Sequence, residues 1–153
     1  MRGWIAFLLI VLCIPGSFAT AGADEPVQRY GINADFKVYP QATAKEALAS
    51  ILKAVEDKRV DYVLAHLADP QWVDDRVKKN GGKFEDLVKE CKETKLDPVA
   101  IKQLGKFLKD GEWKVEEKTA EARLKDVSDR SVRFFKIGDR WYMENGYRPD
   151  KSK

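Results

Sequence analysis

The stretch EWKVEEKTAEARLKDVSDRSVRFFKIGDRWYMEN, residues 112–145, decides the fold of this chain. Apolar and polar residues alternate along it with a period of two, which is typical of half-buried strands. Four strands are predicted, at about 112–117, 119–127, 131–137 and 140–146. Because Gly138-Asp139 is a two-residue hairpin turn, consecutive strands are expected to pair as an antiparallel meander.

The charges along this stretch predict how the strands pair. Two-residue turns are expected at Glu117-Lys118, Asp129-Arg130 and Gly138-Asp139. Four pairs of opposite charge then face one another: Glu112 and Arg123, Lys114 and Glu121, Asp126 and Arg133, and Arg133 and Glu144. Such cross-strand pairs stabilise a sheet by about 0.2–1 kcal/mol each, and so they favour this register.

This register sorts the apolar residues onto two faces. The face expected to lie against helices carries Trp113, Val115, Ala120, Ala122, Leu124, Phe135, Ile137 and Tyr142. The opposite, outer face carries an apolar patch of Val127, Val132, Phe134, Trp141 and Met143. A patch of this kind needs a cover, so these five residues are predicted to form an interface with a second copy, with the leader at 24–42, or with a ligand.

Helices are predicted ahead of the sheet. Thr43 and Glu46 form a capping box at the start of the first. Val60, Val63, Leu64 and Leu67 give a short second one an apolar stripe. Asp69-Pro70 begins the third, which ends at Asn80-Gly81-Gly82, and Asp97-Pro98 begins the fifth. The fourth, at about 84–93, has a stripe that contains Cys91. The predicted fold is α+β, with N-terminal helices followed by a four-stranded antiparallel meander packed on them.

The N-terminus reads as an export signal. A charged start, an apolar run over 5–14 and two overlapping A-x-A sites at 19–21 and 21–23 make residues 1–23 a predicted secretory signal peptide. Either site is a candidate for cleavage. Residues 24–42 are then an extended leader, 43–147 a single domain and 148–153 a polar tail. The mature protein is expected to be periplasmic or extracellular, without a stable membrane anchor.

Composition excludes several functions. The chain has 28 Lys and Arg against 25 Asp and Glu, with the signs interspersed, so no nucleic acid partner is expected. With one histidine and with one cysteine after cleavage, no metal site of N and S ligands and no cofactor are predicted. Cys91 is expected to be buried, or else to form an intermolecular disulfide. His66 is expected to be solvated on a helix surface.

The candidate site lies at one end of the sheet. Asp126, Arg133 and Glu144 line up across three strands, close to Tyr142. They form either a solvated ion cluster at the rim or the polar end of a ligand cavity. If the site is an enzyme's, Asp126 or Glu144 is the base and Arg133 or Tyr142 the electrophile of a cofactor-independent lyase or isomerase.

The hairpin FFKIGDRWYMEN, residues 134–145, following several helices, resembles small secreted bacterial domains of the nuclear transport factor 2-like (cystatin-like) superfamily. The resemblance covers about 43–147. It implies a curved sheet around helices that encloses a cone-shaped pocket, in a superfamily of isomerases, dehydratases, cyclases and non-catalytic binding modules. The Asp, Tyr or His that its enzymes place inside the cone has no matching position here.

Because no catalytic constellation can be assembled, the preferred interpretation is an exported, non-catalytic module. It would bind a small ligand or an envelope or extracellular protein, and a homodimer through the outer sheet face is one form of that partnership. The lyase or isomerase is the alternative, and a structural subunit of a larger assembly is a third possibility.

Overall fold

The computed structural model of the protein describes residues 27–94 and 97–145, without the side chains of 127–129. The predicted signal peptide at 1–23 and polar tail at 148–153 lie outside these residues. The helices are α1 (Ala44–Glu56), α2 (Val60–Tyr62), a π-helix (Val63–Leu67), α3 (Pro70–Lys79), α4 (Phe84–Thr94) and α5 (Pro98–Asp110). The strands are β1 (Gln28–Arg29), β2 (Ile32–Asn33), β3 (Glu112–Val115), β4 (Thr119–Leu124), β5 (Val127–Ile137) and β6 (Arg140–Met143).

The helix starts follow from local side-chain chemistry and confirm the prediction. Thr43 Oγ1 accepts from the Glu46 amide at 3.1 Å, and Glu46 Oε2 accepts from the Thr43 amide at 3.0 Å, which completes the capping box. Asp69 caps α3 by accepting from the amides of Gln71 and Trp72. Asp97 caps α5 by accepting from the Ala100 amide at 2.7 Å. Each cap satisfies amides that have no partner within the helix.

The sheet is an antiparallel meander in the order β3-β4-β5-β6, and it follows the helices as predicted. Glu112 opposes Arg123 and Lys114 opposes Glu121. At the other edge, Ile137 and Arg140 flank the turn at 138–139. Gly138 there has φ +58°, a left-handed backbone that glycine adopts without strain. The predicted register of the β3–β4 and β5–β6 pairs is therefore confirmed.

The predicted pairing of β4 with β5 is wrong. The chain turns at Lys125-Asp126 rather than at 129–130, and the register shifts between Arg123 and Leu124. Arg133 consequently opposes Glu121 instead of Asp126. The partner of Arg133 moves by an odd number of positions, and such a shift exchanges the two faces of the strands beyond the turn.

The corrected register turns the predicted outer patch inward. Val132, Phe134 and Trp141 are buried in a core that α1, α2, the π-helix and α5 share with β4, and Met143 packs against that core. The fifth member of the patch, Val127, has a side chain outside the described set. The outer face instead carries Phe135 and Tyr142, whose ring centroids lie 6.0 Å apart.

A second core lies among α2, the π-helix, α3 and α4. It contains Val60, Leu64, Val73, Phe84, Leu87 and Cys91. The predicted burial of Cys91 in the stripe of α4 is confirmed. The two cores meet along α2 and the π-helix, which place buried residues in both.

The segment predicted as an extended leader is folded where the structure describes it. Gln28 pairs with Asn33 and Arg29 with Ile32 to form a β-hairpin that packs on the helices. Tyr39 further along is buried in the main core. Gln41 is buried too, and Nε2 of its amide donates to the carbonyls of His66 and Trp141 at 3.3 and 3.1 Å. These contacts fasten the leader to the domain.

Candidate functional site

The four predicted site residues do not converge. Asp126 lines one cleft, and Arg133 and Glu144 line another. Tyr142 belongs to the outer sheet face with Phe135. The row across three strands that the sequence suggested is broken because the β4–β5 turn comes earlier than predicted.

Arg133 and Glu144 do form the predicted pair. Arg133 Nε lies 3.5 Å from Glu144 Oε2, and the Glu144 amide donates to the Arg133 carbonyl at 2.9 Å. The Arg133 side chain is 64% exposed. An arginine this exposed is paired at the rim of the sheet, where an ion pair is worth about 0–1 kcal/mol.

The first cleft, called here the α5 cleft, lies between α5 and the turn that joins β4 to β5. Its volume is about 330 Å³. Its lining residues are Gln103, Lys106, Phe107, Asp110, Leu124, Lys125, Asp126 and Arg130. The four residues from α5 follow the spacing that places side chains on one helix face. The volume lies at the lower end of the range for small-molecule sites.

Apolar and charged groups divide the α5 cleft. Phe107, which is buried, and Leu124 supply apolar surface. Arg130 Nη1 donates to Gln103 Oε1 at 3.1 Å, which links the strand side to the helix side. Lys125 Nζ lies 3.1 Å from Glu112 Oε1. Lys106 takes part in none of the ion pairs recorded within 27–94 and 97–145, so its ammonium group is available.

The second cleft is wider and more open, with a volume of about 410 Å³. Its lining residues are Leu104, Ser131, Val132, Arg133, Met143, Glu144 and Asn145. Because Arg133 and Glu144 already bind each other there, little charge is left over to orient a ligand. The α5 cleft is the better candidate site.

His66 is a functional candidate that sequence reasoning placed wrongly. It was expected on the surface, yet it is only 4% exposed. Its Nε2 lies 2.8 Å from the carbonyl oxygen of Ile32, and its ring centroid lies 4.9 Å from that of Tyr62. Burial lowers the pKa of His66 below its usual value; the hydrogen bond to the Ile32 carbonyl acts in the opposite direction, and the charges of Arg29 and Arg140 lower that pKa further. The apolar stripe at 60, 63, 64 and 67 predicts a single buried face of the helix, and His66 lies outside that face.

The predicted homodimer interface also changes. Val132, Phe134 and Trp141 are covered by helices of the same chain, so they are not free to meet a second copy. A homodimer through the outer face stays a prediction. On that face Ile137 is 48% exposed, whereas Phe135 is buried.

The fold and its clefts define the protein as a small α+β domain with a candidate ligand site beside α5. Comparison with family models, with curated proteins and with solved structures finds no match. Over the part of the chain that the structure describes, no helix is long and apolar enough to span a membrane. The same residues contain no cluster of three or more His, Cys, Asp or Glu side chains fit to hold a metal ion.

Proposed function

We propose that the protein is an exported, non-catalytic module that binds a small ligand in the α5 cleft. The observation that carries this proposal is the combination of an apolar surface, Phe107 and Leu124, with the cations Lys106, Lys125 and Arg130 in one concave site. Pockets for small molecules pair a mostly apolar lining with a few polar groups that orient the ligand. A protein partner remains the other form of the binding role expected from the sequence.

The lining also suggests the chemistry of the ligand. Lys125 is paired with Glu112, so Lys106 and Arg130 are the cations of the lining that face the two negative charges of Asp110 and Asp126. An aromatic or aliphatic body would lie on the apolar surface, and an acidic group would bind near Lys106. The relationship to the nuclear transport factor 2-like superfamily, suggested by the hairpin at 134–145, is part of the proposal too.

A non-catalytic role is favoured over a lyase or isomerase because Asp126 lies apart from Arg133, and Glu144, the other predicted base, is paired with Arg133. General acid–base chemistry needs the base within hydrogen-bond reach of the proton it removes, with the electrophile close by. Asp126 and the Arg133–Glu144 pair line different clefts. In addition, Glu144 is held by Arg133.

The test is dye binding to the chain that begins at residue 24. We expect 8-anilinonaphthalene-1-sulfonate, an aromatic sulfonate, to bind more tightly than its neutral analogue N-phenyl-1-naphthylamine. Lys106→Glu should weaken sulfonate binding about fivefold, which corresponds to about 1 kcal/mol, and should leave binding of the neutral dye almost unchanged. Lys102→Glu, an exposed position on the same helix, is the matched control and should have a smaller effect.

A second variant tests the cleft itself. Gln103→Trp places a large ring in the α5 cleft and removes the bond to Arg130, so both dyes should be displaced. Lys102→Trp adds the same ring outside the cleft. Lys102→Trp should bind both dyes like the wild-type protein. The proposed ligand site is wrong if neither dye binds the wild-type protein, or if Gln103→Trp binds both dyes as well as Lys102→Trp does.

A further inference from the structure

The hairpin β1–β2 and the residues beside it, 27–35, are called here the strap. Its two strands contribute two residue pairs, joined by a turn in which Tyr30 and Gly31 have φ of +52° and +76°. A positive φ is ordinary for glycine but strained for tyrosine. Because a hairpin this short is not stable on its own in water, the position of the strap depends on its contacts with the helices.

Arg29 makes the first set of these contacts. It donates to the carbonyl of Ala65 and to that of Pro70, each at 3.3 Å, and it forms an ion pair with Asp74. The Ala65 carbonyl lies in the last turn of the π-helix. In a π-helix this carbonyl would accept from the amide of residue 70, but residue 70 is proline and has no amide hydrogen. The Asp69 amide, which could take that role in an α-helix, donates to the Met143 carbonyl. Arg29 therefore satisfies a carbonyl at a helix end that the helix itself leaves open.

Tyr30 and Asp35 anchor the two sides of the strap. The Tyr30 hydroxyl donates to Asp74 Oδ1 at 2.6 Å, and its ring stacks on Phe84 with a centroid distance of 4.2 Å. The Asp35 amide donates to the Tyr62 hydroxyl at 2.9 Å. Removing the strap would uncover the Phe84 ring and the Tyr62 hydroxyl together.

His66 lies beneath the centre of the strap. Its Nε2 donates to the Ile32 carbonyl at 2.8 Å, so the neutral ring carries its proton on that nitrogen. The charged groups that act on the ring are Arg29 of the strap and Arg140 of β6, both positive. On the helices, Tyr62 is neutral at ordinary pH, and Asp69 caps α3. Asp74 is already bound by Arg29.

A second proton on His66 would therefore place a charge in a buried site beside two guanidinium groups. Burying a charge without a paired counter-charge is costly. The least disruptive relief is for the ring to reach water, and the group that covers its Nε2 is the strap. The sheet and the main core can stay packed when the strap leaves, because few strap residues pack against the main core.

We propose that the strap is a latch released by acid: protonation of His66 frees residues 27–35 from the helices while β3–β6 stay folded. Above pH 6.5 the neutral ring keeps the strap docked. As the pH falls below 6.5, the released form, in which the ring has its ordinary pKa, binds the proton first. The equilibrium shifts toward release by at most about tenfold per pH unit, and the gain stops once the docked ring is also protonated.

The experiment is backbone amide exchange and nuclear magnetic resonance of the chain from residue 24, between pH 7.5 and 4.5. With exchange rates corrected for their intrinsic pH dependence, the amides of Ala34 and Asp35, which donate to the Val27 carbonyl and the Tyr62 hydroxyl, should lose protection by up to about tenfold per unit below pH 6.5. Amides of β4 and β5 should keep theirs. The imidazole resonances of His66 should titrate over the same range.

His66→Gln is the decisive variant, because a glutamine amide can still donate to the Ile32 carbonyl and does not titrate. Its strap should stay protected down to pH 4.5. Asp74→Asn weakens the contacts of Arg29 and Tyr30, and should raise strap exchange at every pH. The latch is refuted if the wild-type strap stays protected while His66 protonates, if strap and sheet lose protection together, or if His66→Gln releases at the same pH as wild type. Should His66→Gln not fold, the comparison of strap and sheet amides in the wild type still decides.

Discussion

Two valines of the sheet offer a direct test of its faces. Val132 of β5 pairs with Ala122 and is 9% exposed, whereas Val115 of β3 is 60% exposed. The sequence-based register predicted Val115 under the helices and Val132 on the outer face. In the structure Val132 is turned inward, whereas Val115 stays on the side of its partner Ala120 but lies exposed at the end of β3. The same substitution, valine to alanine, therefore separates the two arrangements without a change of charge or of chain length.

The expected cost follows from burial. Valine to alanine removes two carbon groups, each worth about 0.8 kcal/mol when buried, and the space they leave adds a further cost. For Val132→Ala we expect the free energy of unfolding to fall by about 1.5–2.5 kcal/mol. Val115→Ala should cost about 0.5 kcal/mol or less, mostly through the lower strand propensity of alanine.

Urea unfolding followed by circular dichroism measures both values on the chain from residue 24. The slope of the transition should be the same in both variants and in wild type, so the midpoints report stability directly. Equal losses, or a larger loss for Val115→Ala, would mean that Val132 does not lie on the covered face of β5 as described. The turn at Lys125-Asp126 would then be in doubt as well.

Three further predictions concern single groups. Thr43→Ala removes the cap of α1 and should lower the free energy of unfolding by about 1 kcal/mol in the same urea assay, whereas Thr43→Ser, which keeps the hydroxyl, should cost much less. Burial, together with the hydrogen bond to Asp74, raises the pKa of Tyr30 to about 12. The protonated Tyr30 hydroxyl therefore stabilises strap docking below pH 10, and this stabilisation is lost as the pH rises toward 12. Absorbance at 295 nm should show a phenol that titrates late and that Tyr30→Phe lacks, and an unchanged titration would contradict the contact. The buried Cys91 should react with 5,5′-dithiobis(2-nitrobenzoate) much more slowly in the folded protein than in urea; fast reaction of the folded protein would contradict its burial.

The parts of the fold that the sequence predicts are those in which the relevant residues are neighbours along the chain. Thr43 and Glu46 lie one helical turn apart, and Asp97 caps α5 through an amide three residues on. The turn at 138–139 is equally local. In each case one short stretch contains both partners of the hydrogen bonds, so sequence alone identifies the element and its boundary.

The β4–β5 turn shows where that reasoning fails. Both 125–126 and 129–130 are polar pairs between apolar runs, and each gives some oppositely charged partners across the strands. The choice between them depends on which face can be buried. Trp141 is larger than Tyr142, which the predicted register placed in the core, and the burial of Trp141 and Phe134 against α1 and the π-helix outweighs the pairing of Asp126 with Arg133. The candidate site moved with the turn, because Asp126 is part of it.

The burial of His66 under the strap is a second feature that the sequence did not predict. An apolar stripe at 60, 63, 64 and 67 predicts one buried face, but the π-helix is covered on two sides, by the main core and by the strap. Two of the groups that receive the strap are the backbone carbonyls of Ala65 and Pro70, which every sequence possesses and no side-chain pattern marks. Only the fold shows that Arg29, which donates to the Ala65 carbonyl 36 residues further along the chain, shares a site with His66. The proposed pH response therefore depends on how residues 27–35 pack on the helices, and replacing His66 should alter it without disturbing the α5 cleft.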